Sequence, residues 1–276
     1  INGIPVERLL LKHLTRDNVI NYLQWLHNTK KNTSATCNYR LAAIRSFCSY
    51  LQYIVIDNMV EWQSILSIKA KKTEISPPNY LSMEGIKLLL AQPDTTSWKG
   101  RRHLALLSLM YDTGARVQEI ADLTVDCVRI DTTPYTIRLT GKGRKTRIVP
   151  LAEAQVDILR SYMEENNLND PNMIKKPLFF NGRHEKLTRE GITYILKIYA
   201  DMANKQQPEI IPKKISCHSI RHSKAMHLLQ AGVNLVYIRD ILGHVSIQTT
   251  DIYARADSKA KREALENAYT RLTPNT

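Results

Sequence analysis

The sequence predicts a mainly α-helical protein with a small antiparallel β-sheet, built as two domains. Apolar residues recur at i, i+3, i+4 and i+7 through most of the chain, which is the spacing of amphipathic helices. Two short strand-like runs flank one glycine-bearing turn, as in a β-hairpin. The segment 73–80, "TEISPPNY", has no periodicity and holds a Pro-Pro pair, so it is predicted to be a linker. It separates a first domain at 1–72 from a second domain at 81–276.

The first domain is predicted to be helical. In "TRDNVINYLQWLHNTK", Val19, Leu23 and Leu26 share one face, and Thr15 is placed to cap the first turn. The stretch "SATCNYRLAAIRSFCSYLQYI" repeats the same period, with Leu41 on its apolar face. Both helices therefore have one side to bury and one side to expose.

The second domain begins with helices and continues into the hairpin. Ser82 is a predicted N-cap for "MEGIKLLLAQ", and Gly114 is the predicted end of the apolar helix in "RRHLALLSLMYDTG". A short helix is expected at about 116–123, followed by the strands "YTIRLT" and "TRIVPL" around "GKGRK". The remaining predicted helices lie at about 152–165, 188–204, 217–230, 234–242, 246–256 and 258–272.

The strongest compositional signal is an excess of positive charge. The chain has 39 Lys and Arg against 26 Asp and Glu, a net charge of +13, which favours a polyanionic partner such as nucleic acid. Its four cysteines form no C-x-x-C pair, which argues against a zinc cluster or a disulfide framework. No apolar run is long enough to span a membrane. The DNA-binding candidates are Lys30, Lys31, Arg40 and Arg45 in the first domain and Arg144 and Lys145 in the hairpin turn.

The segment "HSIRHSKAMHLLQAG" places three cationic or titratable groups on one helical face. His218, Arg221 and His222 stand at i, i+3 and i+4. The two histidines have the spacing of the H-E-x-x-H zinc motif, but Ser219 stands where that motif needs Glu, and no third ligand is evident. A guanidinium one turn from an imidazole suits a phosphate group. The segment therefore favours a phosphate site over a metal site.

Three further segments carry polar side chains whose meaning is open when each is taken alone. In "TGARVQEIADL", Arg116 and Glu119 lie one turn apart, which is typical of an exposed ion pair. The basic turn "GKGRKTR", which contains Lys142, is typical of a solvated turn or a phosphate-binding loop. In "LGHVSIQTTDIYA", His244 precedes Tyr253 by nine residues, and a single helical tyrosine is more often a core residue than a reactive hydroxyl.

Taken together and in this order, the four segments resemble the motifs of the tyrosine recombinase family, which includes the integrases and the Xer-type site-specific recombinases. The resemblance covers nearly the whole chain. It implies a helical core-binding (SAM-like) DNA-binding domain and a catalytic domain that close on DNA as a clamp. It also implies a supporting carboxylate at Glu119. The implied catalytic residues are Arg116, Lys142, His218, Arg221, His244 and Tyr253.

The family mechanism implies roles for these residues. Tyr253 would attack a DNA phosphate to form a 3′-phosphotyrosine bond, while the two arginines of the set bind its non-bridging oxygens. Lys142 is the implied general acid for the leaving 5′ oxygen, and His218 is the implied proton acceptor from the tyrosine. His222 is expected to be structural or to support its neighbours. Neither a metal nor a cofactor is implied, because two guanidiniums supply the positive charge and the phosphotyrosine conserves the bond energy.

The resemblance also implies partners. Double-stranded DNA with specific recombination sites would be bound by a homotetramer, because recombination joins two duplexes and cuts each twice. The terminal helix at 258–272 is expected to dock on a neighbouring subunit rather than on its own domain. The implied location is the bacterial cytoplasm, in association with the nucleoid.

Several functions stay open at this stage. The favoured one is site-specific recombination for a bacterial mobile element, by integration, excision or transposition. The same chemistry also serves chromosome or plasmid dimer resolution, and a type IB topoisomerase uses it to relax DNA. A catalytically silent DNA-binding regulator would keep the fold without the reaction, and a metal-dependent nuclease is the interpretation with the least support.

Overall fold

The chain divides into two compact units, Ile1–Ser76 and Pro77–Thr276. The boundary lies within the segment 73–80 that the sequence marks as a linker. The structure is a computed structural model, and the parts of the chain that it describes are Gly3, residues 5–73, residues 78–243, Thr250 and Tyr253, without the side chains of Val6 and Lys142.

The first unit is helical, as predicted. It contains α1 (Arg16–Asn28), α2 (Ser34–Leu51) and α3 (Met59–Leu66). The side chains of Thr15 and Thr33 accept hydrogen bonds from the first turns of α1 and α2, which satisfies amides that have no partner inside the helix. The core of this unit is formed by Val19, Leu41, Cys48, Leu51, Trp62 and Ile65.

The second unit is mostly helical. At the N-termini of four of its helices a Ser or Thr side chain accepts a hydrogen bond from the first turn. The first of them is Ser82, the cap predicted from the sequence. The helices are α4 (Met83–Leu90), α5 (Trp98–Thr113), α6 (Val117–Ala121), α7 (Glu153–Glu165), α8 (Arg189–Gln206), α9 (Cys217–Gln230) and α10 (Leu235–Leu242).

One three-stranded antiparallel sheet completes the second unit. Its strands are β1 (Val128–Arg129), β2 (Thr136–Thr140) and β3 (Thr146–Pro150), in the order β1-β2-β3. The strands β2 and β3 form the predicted hairpin. The prediction missed β1, because two residues are too few to show the alternation that marks a strand.

Two hydrophobic cores hold the second unit together. The larger core surrounds α5, whose residues 105–107, 109 and 110 are at most 2% exposed, in agreement with the buried helix expected there. The smaller core consists of Ala225, Met226, Ile238, Leu242 and Tyr253, so it joins α9 and α10 to the tyrosine. Of the helices predicted at 246–256 and 258–272, only Thr250 and Tyr253 lie inside the described residues, and both are helical.

No helix of the described part of the chain combines the length and the apolar character that crossing a membrane requires.

Candidate active site

The start of α6 brings Arg116 and Glu119 together. Gly114 ends α5 in the left-handed conformation, with φ of 58°, and Arg116 is the residue that immediately precedes α6. Its backbone N–H donates to Oε2 of Glu119 at 2.8 Å, and its Nη1 donates to Oε1 at 3.0 Å. Glu119 is only 3% exposed. The carboxylate of this ion pair is therefore buried. The prediction of an exposed ion pair, which rested on the spacing alone, is wrong.

A second arginine, Arg147 on β3, binds the same carboxylate. Its Nη1 and Nη2 donate to the two oxygens of Glu119 at 2.8 Å each, and its Nε donates to the carbonyl oxygen of Ile241 at 2.8 Å. Burial by itself raises the pKa of Glu119, but the hydrogen bonds from Arg147 and Arg116 outweigh burial and lower this pKa to about 2. The carboxylate is therefore ionised at neutral pH and ties α6, β3 and the end of α10 together.

The hairpin that carries Lys142 begins directly against this cluster. A Cβ atom at Gly141 would lie 2.9 Å from Oε1 of Glu119, so the backbone approaches the carboxylate as closely as only glycine allows. The turn continues through Gly143, whose φ of 74° is also unfavourable for other residues. Lys142 thus follows immediately after the point where the hairpin contacts Glu119.

The guanidinium of Arg221 is buried at the other side of the site. Arg221 is 4% exposed, and it donates from Nη1 to the carbonyl of Gly114 at 2.8 Å and from Nη2 to the carbonyl of Leu242 at 2.7 Å. Burial, together with the positive charge of Arg116, lowers its pKa to about 10, so it remains protonated at neutral pH. Across residues 78–243, no carboxylate forms an ion pair with Arg221.

The end of α10 is the point where the two arginines meet. Arg116 donates from Nη2 to the carbonyl of Gly243 at 3.2 Å, next to the Leu242 carbonyl that Arg221 binds. Carbonyls at a helix C-terminus carry partial negative charge, which favours nearby cations. These carbonyls orient both guanidiniums, and the three arginines of the site, Arg116, Arg147 and Arg221, outnumber its one carboxylate, Glu119. The site therefore keeps net positive charge that suits an anion such as phosphate.

Tyr253 lies beside Arg221 with its hydroxyl bonded to His222. It is 1% exposed and packs in the smaller core with Met226 and Leu242. The hydroxyl oxygen of Tyr253 is 2.8 Å from Nδ1 of His222. Burial raises the pKa of Tyr253, and the positive charge of Arg221 partly opposes that effect.

The structure thus brings four of the seven residues named from the resemblance into one region: Arg116, Glu119, Arg221 and Tyr253. His218 lies on α9 one turn before His222 and is exposed, with the two ring centroids 6.3 Å apart. The side chain of Lys142 and the whole of His244 lie outside the described residues. The DNA-binding candidates are all exposed side chains: Lys30, Lys31, Arg40, Arg45, Arg144 and Lys145.

The sequence did not predict two contacts of this site, the one between Arg147 and Glu119 and the one between His222 and Tyr253. Strand pairing supplies a signal for the first: Arg147 pairs with the buried Leu139, and the next residue along its own face, Val149, is also buried. A charged residue on the inward face of a strand needs a partner. No local signal distinguishes His222 from His218, because both histidines lie on the same helix one turn apart.

Within the described residues, no three His, Cys, Asp or Glu side chains lie close enough together to hold a metal ion. The site contains three guanidiniums, imidazoles and a phenol, and its single carboxylate already binds two of the three arginines. This set is suited to binding an anion.

Comparison with known proteins identifies relatives. A model described as the phage integrase family matches residues 79–260. The tyrosine recombinase XerD of Listeria innocua is 32% identical over 242 residues, which cover 87% of this chain and 77% of the relative.

Two solved structures extend the similarity to the fold. The XerH site-specific recombinase in a pre-cleavage complex with its difH substrate superimposes with a TM-score of 0.67 and 25% identity, covering 92% of this chain and 71% of that one. The Tn1549 transposon integrase in complex with a circular intermediate DNA reaches a TM-score of 0.71 at 17% identity, covering 97% and 89%. At that identity the second likeness concerns the fold alone.

Proposed function

The chain belongs to the phage integrase family of tyrosine recombinases, and from that premise we propose that it cuts and rejoins DNA at specific sites through a 3′-phosphotyrosine bond at Tyr253. The observation that supports this most strongly is Arg221. Its guanidinium is buried, protonated and held by two backbone carbonyls. The next residue on the same helix, His222, is hydrogen-bonded to the tyrosine hydroxyl. A buried cation that no described carboxylate pairs with is stabilised by an anion that enters the site.

The arginines act through electrostatic stabilisation. Attack on a phosphodiester creates a pentavalent transition state whose non-bridging oxygens carry increased negative charge. Arg116 and Arg221 are oriented before the substrate arrives, because the carbonyls of Gly114, Leu242 and Gly243 fix them. Groups oriented in advance need no reorganisation during the reaction, and removing one such donor typically costs about 100-fold to 1,000-fold in rate.

The remaining roles in this proposal follow the family. Lys142 donates a proton to the leaving 5′ oxygen. It directly follows Gly141, the residue through which the hairpin contacts Glu119. His218 and His244 add hydrogen bonds to the phosphate, and the family resemblance makes His218 the expected proton acceptor from Tyr253. Glu119 does not touch the DNA; it holds Arg116 and Arg147 in place. The phosphotyrosine conserves the energy of the broken bond, so a 5′ hydroxyl can reseal the strand without a cofactor.

The proposed substrate is double-stranded DNA, and both units contribute basic side chains to its binding. Lys30, Lys31, Arg40 and Arg45 of the first unit and Arg144 and Lys145 of the hairpin contact phosphates, so binding weakens steeply as salt increases. The working assembly is a homotetramer on DNA, and residues 258–272 link neighbouring subunits. Because its proposed substrate is DNA, the protein acts in association with the bacterial nucleoid.

The biological role that we propose is movement of a bacterial mobile element by integration, excision or transposition. Resolution of chromosome or plasmid dimers uses the same chemistry. The two differ in the sites that are recombined: a mobile element joins its own ends to unlike target DNA, whereas a resolvase acts on two identical sites. Sequencing the junctions formed in cells that express the protein separates them.

Covalent trapping tests the proposed chemistry. A randomised duplex library is selected for binding, and the selected sequence is rebuilt with a nick so that the fragment beyond the cut diffuses away. We expect a protein–DNA band on a denaturing gel that persists with chelator and disappears in Tyr253→Phe. The matched control is Tyr237→Phe, since Tyr237 is 66% exposed and outside the smaller core.

Three results would contradict the proposal. A covalent band that persists in Tyr253→Phe assigns the nucleophile to another residue. Binding of the selected DNA without any covalent band in the wild-type protein supports the silent regulator. Loss of cutting with chelator would favour the metal-dependent nuclease.

A further inference from the structure

The hydroxyl of Tyr253 has a titratable partner that the family resemblance does not assign. Nδ1 of His222 lies 2.8 Å from the hydroxyl oxygen, and the ring centroids are 5.6 Å apart with an interplanar angle of 59°. His222 is half-buried, whereas the hydroxyl belongs to a side chain that is 1% exposed. The two groups therefore meet in a place that bulk water reaches poorly, where a hydrogen bond is electrostatically stronger than in water.

Geometry gives the two histidines of α9 different surroundings. His218 is exposed to solvent, and its ring centroid is 6.3 Å from that of His222. An exposed imidazole is placed to meet a phosphate that arrives from solvent. His222 contacts the nucleophile. Neighbouring residues of a helix point about 100° apart, so Arg221 points in another direction, toward the carbonyls of Gly114 and Leu242.

The charge state of His222 fits a proton acceptor. Burial lowers the pKa of His222, and the positive charges of His218 and Arg221 lower it further. The imidazole is therefore neutral at neutral pH, and with its proton on Nε2 it offers a lone pair at Nδ1 to the tyrosine O–H. Among the described residues, the titratable or charged groups around it are His218 and Arg221 on its own helix and Tyr253 on the segment packed against it.

We infer that His222, and not His218, is the catalytic base that takes the proton of Tyr253. This inference rests on the proposed function. The proton moves from the tyrosine oxygen to Nδ1 of His222, and the phenolate oxygen forms a bond to phosphorus. The bond from phosphorus to the 5′ oxygen breaks, and that oxygen leaves with its electron pair and takes a proton from Lys142. Resealing reverses each transfer, so the base returns the proton to the tyrosine.

The test separates a base from the general acid by changing the leaving group. Single-turnover cleavage is measured on two nicked duplexes of the selected sequence, one normal and one with sulfur in place of the bridging 5′ oxygen. A thiolate leaves without a proton because thiols are far more acidic than alcohols. We expect His222→Ala to slow cleavage of both duplexes by about 100-fold to 10,000-fold. Lys142→Ala should slow only the normal one.

A structural role for His222 predicts different behaviour. If it is the base, added imidazole restores much of the activity of His222→Ala, and the acid limb of the wild-type pH–rate profile disappears. His222→Gln keeps a hydrogen-bond acceptor of similar length without basicity, so it should fold normally and remain slow. His218→Gln should lose rate through its phosphate contact while keeping the acid limb.

The inference is overturned if His222→Gln cleaves within a few-fold of wild type. It is also overturned if imidazole fails to rescue His222→Ala while the acid limb persists, or if the limb disappears in His218→Gln instead. Tyr253→Phe keeps the outcomes distinct. A covalent complex in that variant rejects the proposed nucleophile, whereas wild-type behaviour of the His222 variants rejects only the base.

Discussion

Replacing Glu119 by Gln tests whether this carboxylate organises the site. The amide keeps the size of the side chain but removes its charge, and one of its two acceptor positions becomes an N–H group. Arg147 needs both oxygens for its two hydrogen bonds, and Arg116 shares one of them. Glu119→Gln therefore leaves a buried guanidinium facing a donor, which is costly in a region with little water.

The size of the effect follows from the pKa of Glu119. The surrounding arginines lower it from the ordinary 4.5 to about 2, and each pKa unit corresponds to about 1.4 kcal/mol, so ionisation stabilises the fold by about 3 kcal/mol. Removing one partner of a buried ion pair typically costs about 3–5 kcal/mol. Because the folded pKa is the lower one, this stabilisation is complete above about pH 4.5 and is lost as the pH falls toward 2.

Urea unfolding followed by circular dichroism measures the prediction. At pH 7 we expect Glu119→Gln to lower the free energy of unfolding by about 3–5 kcal/mol. By about pH 3.5 the difference from wild type should narrow by about 1 kcal/mol. Asp157→Asn is the matched control, since its side chain is 72% exposed in an ion pair with Arg160 and should contribute below about 1 kcal/mol. A loss for Glu119→Gln as small as that of the control, or one that does not vary with pH, would refute this account.

Three further changes have expected outcomes. Arg147→Lys cannot keep both the bidentate contact with Glu119 and the hydrogen bond to Ile241, so the free energy of unfolding in urea should fall by about 1–3 kcal/mol. An unchanged stability would contradict a structural role for the Arg147 guanidinium. Gly141→Ala places a methyl group 2.9 Å from the Glu119 carboxylate and should slow single-turnover cleavage by about 10-fold to 100-fold, while Gly182→Ala, which meets nothing within 4 Å, serves as the neutral control. Deleting residues 258–276 should leave DNA binding in a gel-shift assay largely intact and weaken assembly; an unchanged tetramer in sedimentation on DNA would argue against docking between subunits.

Several helices and the family motifs of this protein can be predicted from local sequence. The helices α1 and α2 follow from apolar spacing, because Val19 and Leu41 fall on the faces that the period of 3.6 predicts, and both are buried. Their starts follow from capping by Thr15 and Thr33, which depends on residues only three positions apart. The motifs likewise identify a family, because each lies within a short stretch of chain.

The tertiary structure alone decided which side chains of the site contact one another. Arg147 reaches Glu119 across 28 residues and Ile241 across 94, and His222 reaches Tyr253 across 31. No local spacing encodes such contacts, since they depend on how β3, α6, α9 and α10 pack against one another. Packing acts in the same way: hydrogen bonds from Arg147 and Arg116 outweigh the effect of burial and lower the pKa of Glu119 to about 2, and Arg221 becomes a buried cation held by carbonyls. The sequence by itself determined which residues are available for the chemistry, and packing decided which of them touch, because desolvation and hydrogen bonding depend on neighbours that are distant along the chain.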